Sequence, residues 1–193
     1  MSELSYHRYR GVSRSSLEAI GRRAAEYGIK TAMLEWIGAS YQELHEDLKL
    51  GRNSAWSQYT LAGPGPDNGG NYYVIDVVTD PANPQIIVGD RTKFLRQYFK
   101  YVRGGAIRID AVTNNKDFDP VAFVNRDGKH VVIVKAGSQG TFTIQGLPPG
   151  TYGIKYTTGT QYDVDLPEVA ITAGQKVRAN IPASGVITVH AKL

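Results

Sequence analysis

The sequence contains no cysteine, which excludes disulfide bridges and thiolate metal sites. No stretch approaches the roughly 20 consecutive apolar residues that a membrane-spanning helix needs, so we expect no membrane partner. The 22 basic residues are scattered among 18 acidic ones, and the net charge of +4 therefore predicts no nucleic-acid partner. Residues 1–6 lack a basic segment followed by an apolar core, and no signal peptide is visible there.

The overall composition is that of a globular protein, with 41% hydrophobic and 21% charged residues in a chain of 193. This length suffices for one domain or two small ones. Helical and strand patterns alternate before Gly104-Gly105, whereas short strands and turns follow it. We therefore predict an α/β domain in residues 1–104 and an all-β domain in residues 105–193.

The α/β part alternates strands with short helices. Two capping-box signatures, in which a serine and a glutamate satisfy each other's free backbone amides, predict the helix starts at Ser15–Glu18 and Ser40–Glu43. The strand-like runs around them end at Tyr9 and Glu35, and a third covers Ala55–Leu61. Helices of this length between strands favour parallel pairing with right-handed crossovers. The pattern predicts a partial β/α barrel of the TIM type with about three strands.

Turn signals organise the rest of the chain. Residues 63–70 are predicted to form a loop, and a hairpin insertion is predicted at about residues 71–88, before a helix that Asp90 caps. From Ala106 onward, eight or nine strands at regular spacing predict a β-sandwich. Asp127-Gly128 supplies the positive backbone angles of a hairpin turn within it.

Polar and aromatic side chains collect at the predicted strand ends, where β/α-barrels build their active sites. Glu35 is the candidate catalytic residue, because a carboxylate at this position can attack a sugar. The candidate substrate-binding residues are His7, Tyr9, Trp36 and Trp56. Tyr9 would hydrogen-bond Glu35, His7 would orient Glu35 or contact a sugar hydroxyl, and the indole rings of the tryptophans can stack on sugar faces. Each also has a structural interpretation: a surface glutamate, strand-end packing of His7 and Tyr9, and core packing of the tryptophans.

These residues together resemble the clan A glycoside hydrolases, and family 30, a barrel with an attached β-sandwich, most closely. In that clan a His-x-Tyr element ends the sixth barrel strand, and His7-Arg8-Tyr9 resembles it. The clan's nucleophilic glutamate ends the seventh strand, and Glu35 matches that position. A tryptophan near the eighth strand forms a sugar platform, which matches Trp56. Residues 91–109 look like the last barrel helix running into the first sandwich strand. The resemblance thus assigns strands six to eight to residues 1–104.

The resemblance implies retaining hydrolysis of a β-linked glycan, with Glu35 as the nucleophile and no cofactor. The family's general acid/base is a glutamate that follows asparagine on the fourth barrel strand, and the sequence contains no Asn-Glu pair. We therefore expect a fragment that is inactive alone. The complete enzyme would act outside the cytoplasm, in the extracellular space or the periplasm.

Metal binding is not predicted. His45 and His190 have no partner residues at ligand spacing, and Asp163, Asp165 and Glu168 do not match a known calcium loop. The carboxylates of the second helix, Glu43, Glu46 and Asp47, are interpreted as a solvated face.

Two other functions stay open at this point. The sandwich could be a non-catalytic carbohydrate-binding or structural module, for which Tyr152, Tyr156 and Tyr162 are the aromatic cluster. Alternatively, the chain could be a truncated reading frame whose unpaired barrel strands lead to self-association.

Overall fold

The computed structural model describes residues 2–192. They divide into two compact units, one extending to Thr92 and the other beginning at Lys93. No helix among these residues has both the length and the apolar character required to cross a membrane.

The first unit is built on a parallel three-stranded sheet in the order β1-β2-β3. Its strands and helices, in chain order, are β1 (Glu3–His7), α1 (Arg14–Glu26), β2 (Lys30–Glu35), α2 (Tyr41–Lys49) and β3 (Ala55–Trp56). Strands adjacent in the chain are therefore neighbours in the sheet, each pair joined by a helix. This confirms the predicted parallel β/α architecture.

The two helices of this unit begin with different caps. In α1 the N-cap is Ser13, whose side chain accepts a hydrogen bond from the Ser16 backbone N–H at 3.1 Å. The predicted capping box at Ser15 is wrong, because the helix begins before it. In α2 the predicted box is confirmed: the Ser40 backbone N–H donates to Glu43 Oε2 at 2.7 Å, and the Ser40 side chain caps in return.

A second small sheet, in the order β4-β5-β6, follows β3. It contains β4 (Ala62–Pro64), β5 (Tyr73–Asp76) and β6 (Gln85–Val88). The predicted hairpin is confirmed, since β5 and β6 are antiparallel with Tyr73 opposite Val88. The third barrel strand was predicted too long, and part of the predicted loop is the strand β4. A Gly-Pro sequence gives little strand signal, yet an edge strand such as β4 tolerates proline.

The second unit begins within α3 (Asp90–Phe99) and is otherwise formed by eight strands in the described chain. They are β7 (Ile107–Ile109), β8 (Phe118–Val124), β9 (His130–Ala136), β10 (Gly140–Ile144), β11 (Gly150–Thr158), β12 (Val164–Ile171), β13 (Val177–Ile181) and β14 (Gly185–Ala191). Six of them form an antiparallel sheet in the order β12-β11-β14-β9-β8-β7, and β10 pairs with β13 in the other sheet. The predicted β-sandwich is confirmed.

The sandwich core explains why these segments form strands. In β13 buried and exposed residues alternate strictly, so that Val177, Ala179 and Ile181 point into the core. They belong to one apolar cluster with residues of the six-stranded sheet, including Ile154 and Ile187. The turn between β8 and β9 has Gly128 at φ 82°, a conformation that glycine adopts without steric cost.

Candidate active site

The ends of β1 and β2 bring three of the predicted site residues together. The strands are parallel, so their carboxyl ends lie at the same edge of the sheet, and His7 is the register partner of Glu35. The pairing register of β1 with β2 shifts between Tyr6 and His7, and such a shift changes the direction of the side chains that follow it. The Arg8 N–H donates to the Glu35 carbonyl oxygen at 3.4 Å, and this extends the pairing beyond the strand end.

Tyr9 contacts the candidate nucleophile directly. Its hydroxyl donates a hydrogen bond to Glu35 Oε1 at 2.9 Å, and the Ile37 backbone N–H donates to the same hydroxyl at 3.3 Å. Partial desolvation and the bond to Glu35 raise the pKa of the Tyr9 phenol above its ordinary value. The phenol therefore stays a neutral donor that fixes the position of the carboxylate.

His7 lies beside this pair. Its ring centroid is 5.9 Å from that of Tyr9, and the rings meet edge to face at 68°. His7 is an exposed residue. The predicted strand-end group of His7, Tyr9 and Glu35 is thus assembled, while the roles assigned to these residues stay predictions.

The two tryptophans occupy different surroundings. The guanidinium of Arg8 lies 5.5 Å from the ring centroid of Trp36. Trp56 is the register partner of Met33, and its indole N–H donates to Asp47 Oδ2 of α2 at 2.8 Å. The polar edge of Trp56 is therefore directed towards helix α2. The substrate-binding role of Trp36 and Trp56 stays a prediction.

A buried polar cluster beneath these strand ends was not expected from the sequence. Asp47 has no exposed surface, whereas the sequence interpretation placed it on a solvated helix face. That interpretation is wrong for Asp47. Its spacing could have indicated burial, because Asp47 lies three positions after the core residue Leu44 and therefore on the same helix face. Burial raises the pKa of the Asp47 carboxyl, against the opposing effect of its hydrogen-bond donors.

The acidic residues near β12 do not form a cation site. Asp163 lies within ion-pair distance of three cations, Arg96 at 3.4 Å, Lys100 at 3.6 Å and Lys155 at 3.4 Å. Among residues 2–192, no three His, Asp or Glu side chains are grouped as a metal ion would require.

The tyrosines of the sandwich do not offer a flat binding surface. Tyr152 and Tyr156 are buried in the core, with hydroxyls bonded to Pro148 O at 2.8 Å and Gln161 Oε1 at 2.9 Å. Tyr162 is partly exposed, and Arg96 lies 5.9 Å from its ring centroid. The aromatic cluster that would support a carbohydrate-binding module is therefore mostly occupied in packing.

Comparison with known proteins gives a family match for the second unit. Residues 105–189 match the model of the glycosyl hydrolase family 30 beta sandwich domain. A search of the curated proteins found no relative of this chain.

Solved structures match the whole fold. A GH30 endoxylanase from Clostridium papyrosolvens C71 covers 100% of this chain at a TM-score of 0.76 and 16% identity, over 49% of its own length. A family 30 subfamily 8 xylanase from Clostridium acetobutylicum matches at a TM-score of 0.77 and 16% identity. It also covers 100% of this chain, over 49% of its own length. A GH30 xylanase C from Talaromyces cellulolyticus has a TM-score of 0.66 at 15% identity and covers 86% of this chain with 41% of its own. The chain thus spans about half the length of the first two structures.

Proposed function

We propose that this chain is part of a retaining glycosidase, because residues 105–189 match the model of the glycosyl hydrolase family 30 beta sandwich domain and the chain has the fold of the C-terminal part of solved GH30 enzymes. The substrate of the complete enzyme is a β-linked glycan. Glu35 is the nucleophile, and His7, Tyr9, Trp36 and Trp56 contribute to the sugar site. The complete protein would act outside the cytoplasm, in the extracellular space or the periplasm.

The hydrogen bond from Tyr9 to Glu35 carries this proposal. A nucleophilic carboxylate needs one oxygen held in place and the other available for attack, and a single donor on Oε1 meets that requirement. The carboxylate also stands at the carboxyl edge of a parallel sheet, which is the edge that carries the active site in β/α-barrels.

The reaction that this arrangement supports proceeds in two displacements. A Glu35 oxygen forms a bond to the anomeric carbon while the glycosidic C–O bond breaks, and the leaving oxygen takes a proton from a general acid. Water then attacks the anomeric carbon while its bond to the Glu35 oxygen breaks, and the conjugate base of the general acid takes the proton from the water. The Asn-Glu pair that would supply the acid does not occur in the sequence, so we propose that these 193 residues alone catalyse little turnover.

An activated inhibitor can test Glu35 as a nucleophile without a general acid. A 2-deoxy-2-fluoro-β-glycosyl fluoride has a leaving group that needs no protonation, so Glu35 can form an adduct without a general acid. Peptide mass spectrometry should find the added glycosyl mass on the peptide that contains Glu35. The matched control is Glu26→Gln, which removes an exposed carboxylate of α1.

The assignment predicts labelling of the wild type and of Glu26→Gln, and none of Glu35→Gln. An adduct on another residue, or no adduct at saturating reagent, would contradict the nucleophile assignment. Hydrolysis of aryl β-glycosides tests the second part of the proposal: turnover that disappears in Glu35→Gln would refute the inactivity of the chain but support the role of Glu35.

Self-association is proposed as a consequence of the open sheet. In the described part of the chain, β1 and β3 are the outer strands of the parallel sheet, and each pairs on one side only. Unpaired strand edges promote association with other strands. Sedimentation at increasing protein concentration should show a rising mass, and a constant monomer mass would exclude this consequence.

A further inference from the structure

We propose that Asp47 is a positioning residue for the candidate active site, and that its carboxylate links the end of β1 to β3. This inference rests on the proposed function, because it concerns the placement of Tyr9 against Glu35. Asp47 belongs to α2 and touches none of the reacting groups itself.

The Asp47 carboxylate accepts hydrogen bonds from two of the strands. Its Oδ1 accepts from the Tyr6 hydroxyl at 2.7 Å and from the Arg8 guanidinium at 3.3 Å, both on the β1 segment. Its Oδ2 accepts from the Trp56 indole N–H of β3 at 2.8 Å. A single side chain therefore links the two outer strands of the sheet.

Burial makes this link rigid. The side chain of Asp47 is fully buried and that of Arg8 is only 6% exposed. An unpaired buried charge is costly, so the carboxylate and the guanidinium hold each other in place. Arg8 is fixed further by donating to the Glu43 carbonyl oxygen at 3.2 Å and by pairing with Glu46 at 3.3 Å.

Arg8 connects Asp47 to the candidate site. It lies between His7 and Tyr9 in the chain, and its backbone N–H is bonded to the Glu35 carbonyl. Tyr6 and Arg8 both reach Asp47, so His7, which lies between them, points to the other face. There its ring meets that of Tyr9 edge to face. The guanidinium of Arg8 also lies over the ring of Trp36, the residue that follows Glu35. Asp47 thus acts on both partners of the Tyr9–Glu35 hydrogen bond.

Two variants of Asp47 test the inference without substrate. Asp47→Asn removes the charge and keeps the size, whereas Asp47→Glu keeps the charge but no longer fits the three donors. The measurement is the titration of the Tyr9 phenol by ¹³C NMR in protein with labelled tyrosine. We expect its pKa to fall towards the ordinary value in both variants, because the bond to Glu35 loosens. Glu26→Gln, which also removes one negative charge, should leave the titration unchanged.

The indole N–H resonance of Trp56 shows whether the network has been broken. A shifted indole resonance with an unchanged Tyr9 titration in Asp47→Glu would overturn the inference. If the Asp47 variants do not fold, Tyr6→Phe removes one donor to Asp47 and should lower the pKa of Tyr9 by a smaller amount. An unchanged Tyr9 titration in a folded Tyr6→Phe whose Trp56 indole resonance has moved would overturn it as well.

Labelling by the fluoroglycosyl fluoride distinguishes this inference from the proposed function. If both are correct, the labelling rate of Glu35 falls in Asp47→Glu on the order of 10- to 100-fold, as expected for a displaced nucleophile. If Glu35 is not a nucleophile, no labelling occurs in any variant, yet the Tyr9 titration still reports the positioning. A rate equal to that of the wild type would overturn the inference alone.

Discussion

Removal of one core side chain should destabilise the sandwich much more than removal of the same side chain at its edge. Ile187 lies on β14, next to β9 and β11 in the six-stranded sheet, and has no exposed surface. Ile→Ala substitutions at such sites cost about 2–5 kcal/mol, from lost burial and from the cavity that remains. We expect about 4 kcal/mol for Ile187→Ala, because its neighbours Tyr156 and Val134 are held by strand pairing and cannot collapse into the cavity.

Ile107→Ala is the matched control for this substitution. Ile107 lies on the edge strand β7 of the same sheet and is 69% exposed, so its removal should cost less than about 1 kcal/mol. At a slope of about 2 kcal/mol per M, Ile187→Ala should lower the urea midpoint by about 2 M. Both tryptophans belong to the first unit, so a probe within the sandwich is the direct measurement of this loss. Hydrogen exchange in peptides from β9 and β14 at increasing urea measures it, and equal shifts for the two variants would refute the assigned core.

Three further predictions concern single side chains. Ser40→Ala should destabilise the first unit by about 0.5–2 kcal/mol, measured by tryptophan fluorescence in urea, because α2 loses its capping box; an unchanged midpoint would contradict the cap. Glu35→Gln should lower the pKa of Tyr9, measured by ¹³C NMR, since the phenolate would no longer face a carboxylate; an unchanged pKa would show that the contact is absent in solution. Burial lowers the pKa of His190 below 6.5, so the unfolded state binds a proton before the folded state does as the pH falls. Stability is therefore lost as the pH falls through about 6.5. His190→Gln should lack this loss when urea unfolding is compared at pH 5 and 7, and parallel pH profiles for variant and wild type would contradict the prediction.

The architecture could be predicted from the sequence because its signals are local. The capping box at Ser40 and the Asp127-Gly128 turn each need only a few neighbouring residues, and both are present in the structure. Alternation along β13 likewise predicts a strand with one buried face. In contrast, the strand β4 is stabilised by its pairing with β5, and a Gly-Pro sequence gives no sign of that distant partner.

The candidate site could be predicted only in part, for a related reason. His7, Tyr9 and Glu35 meet because two parallel strands end at the same edge, and strand order follows from the βαβ pattern. The environment of Trp56 depends instead on which helix residue approaches its indole N–H. Asp47 makes that contact and is buried among donors from β1 and β3, so its surroundings exist only once all three elements have packed.

In the proposed function, Glu35 and Asp47 are two carboxylates of one fold with different tasks. Asp47 accepts three donors and has no exposed surface, so its lone pairs are committed and its charge can only hold neighbours in place. Glu35 is only partly buried, and Tyr9 donates to one of its oxygens, so the other oxygen can attack. A nucleophile needs this combination of a fixed position and a free lone pair. Position along the chain does not separate the two carboxylates, since both lie near the end of an element, and their hydrogen-bond partners are what favours Glu35 over Asp47 as the proposed nucleophile.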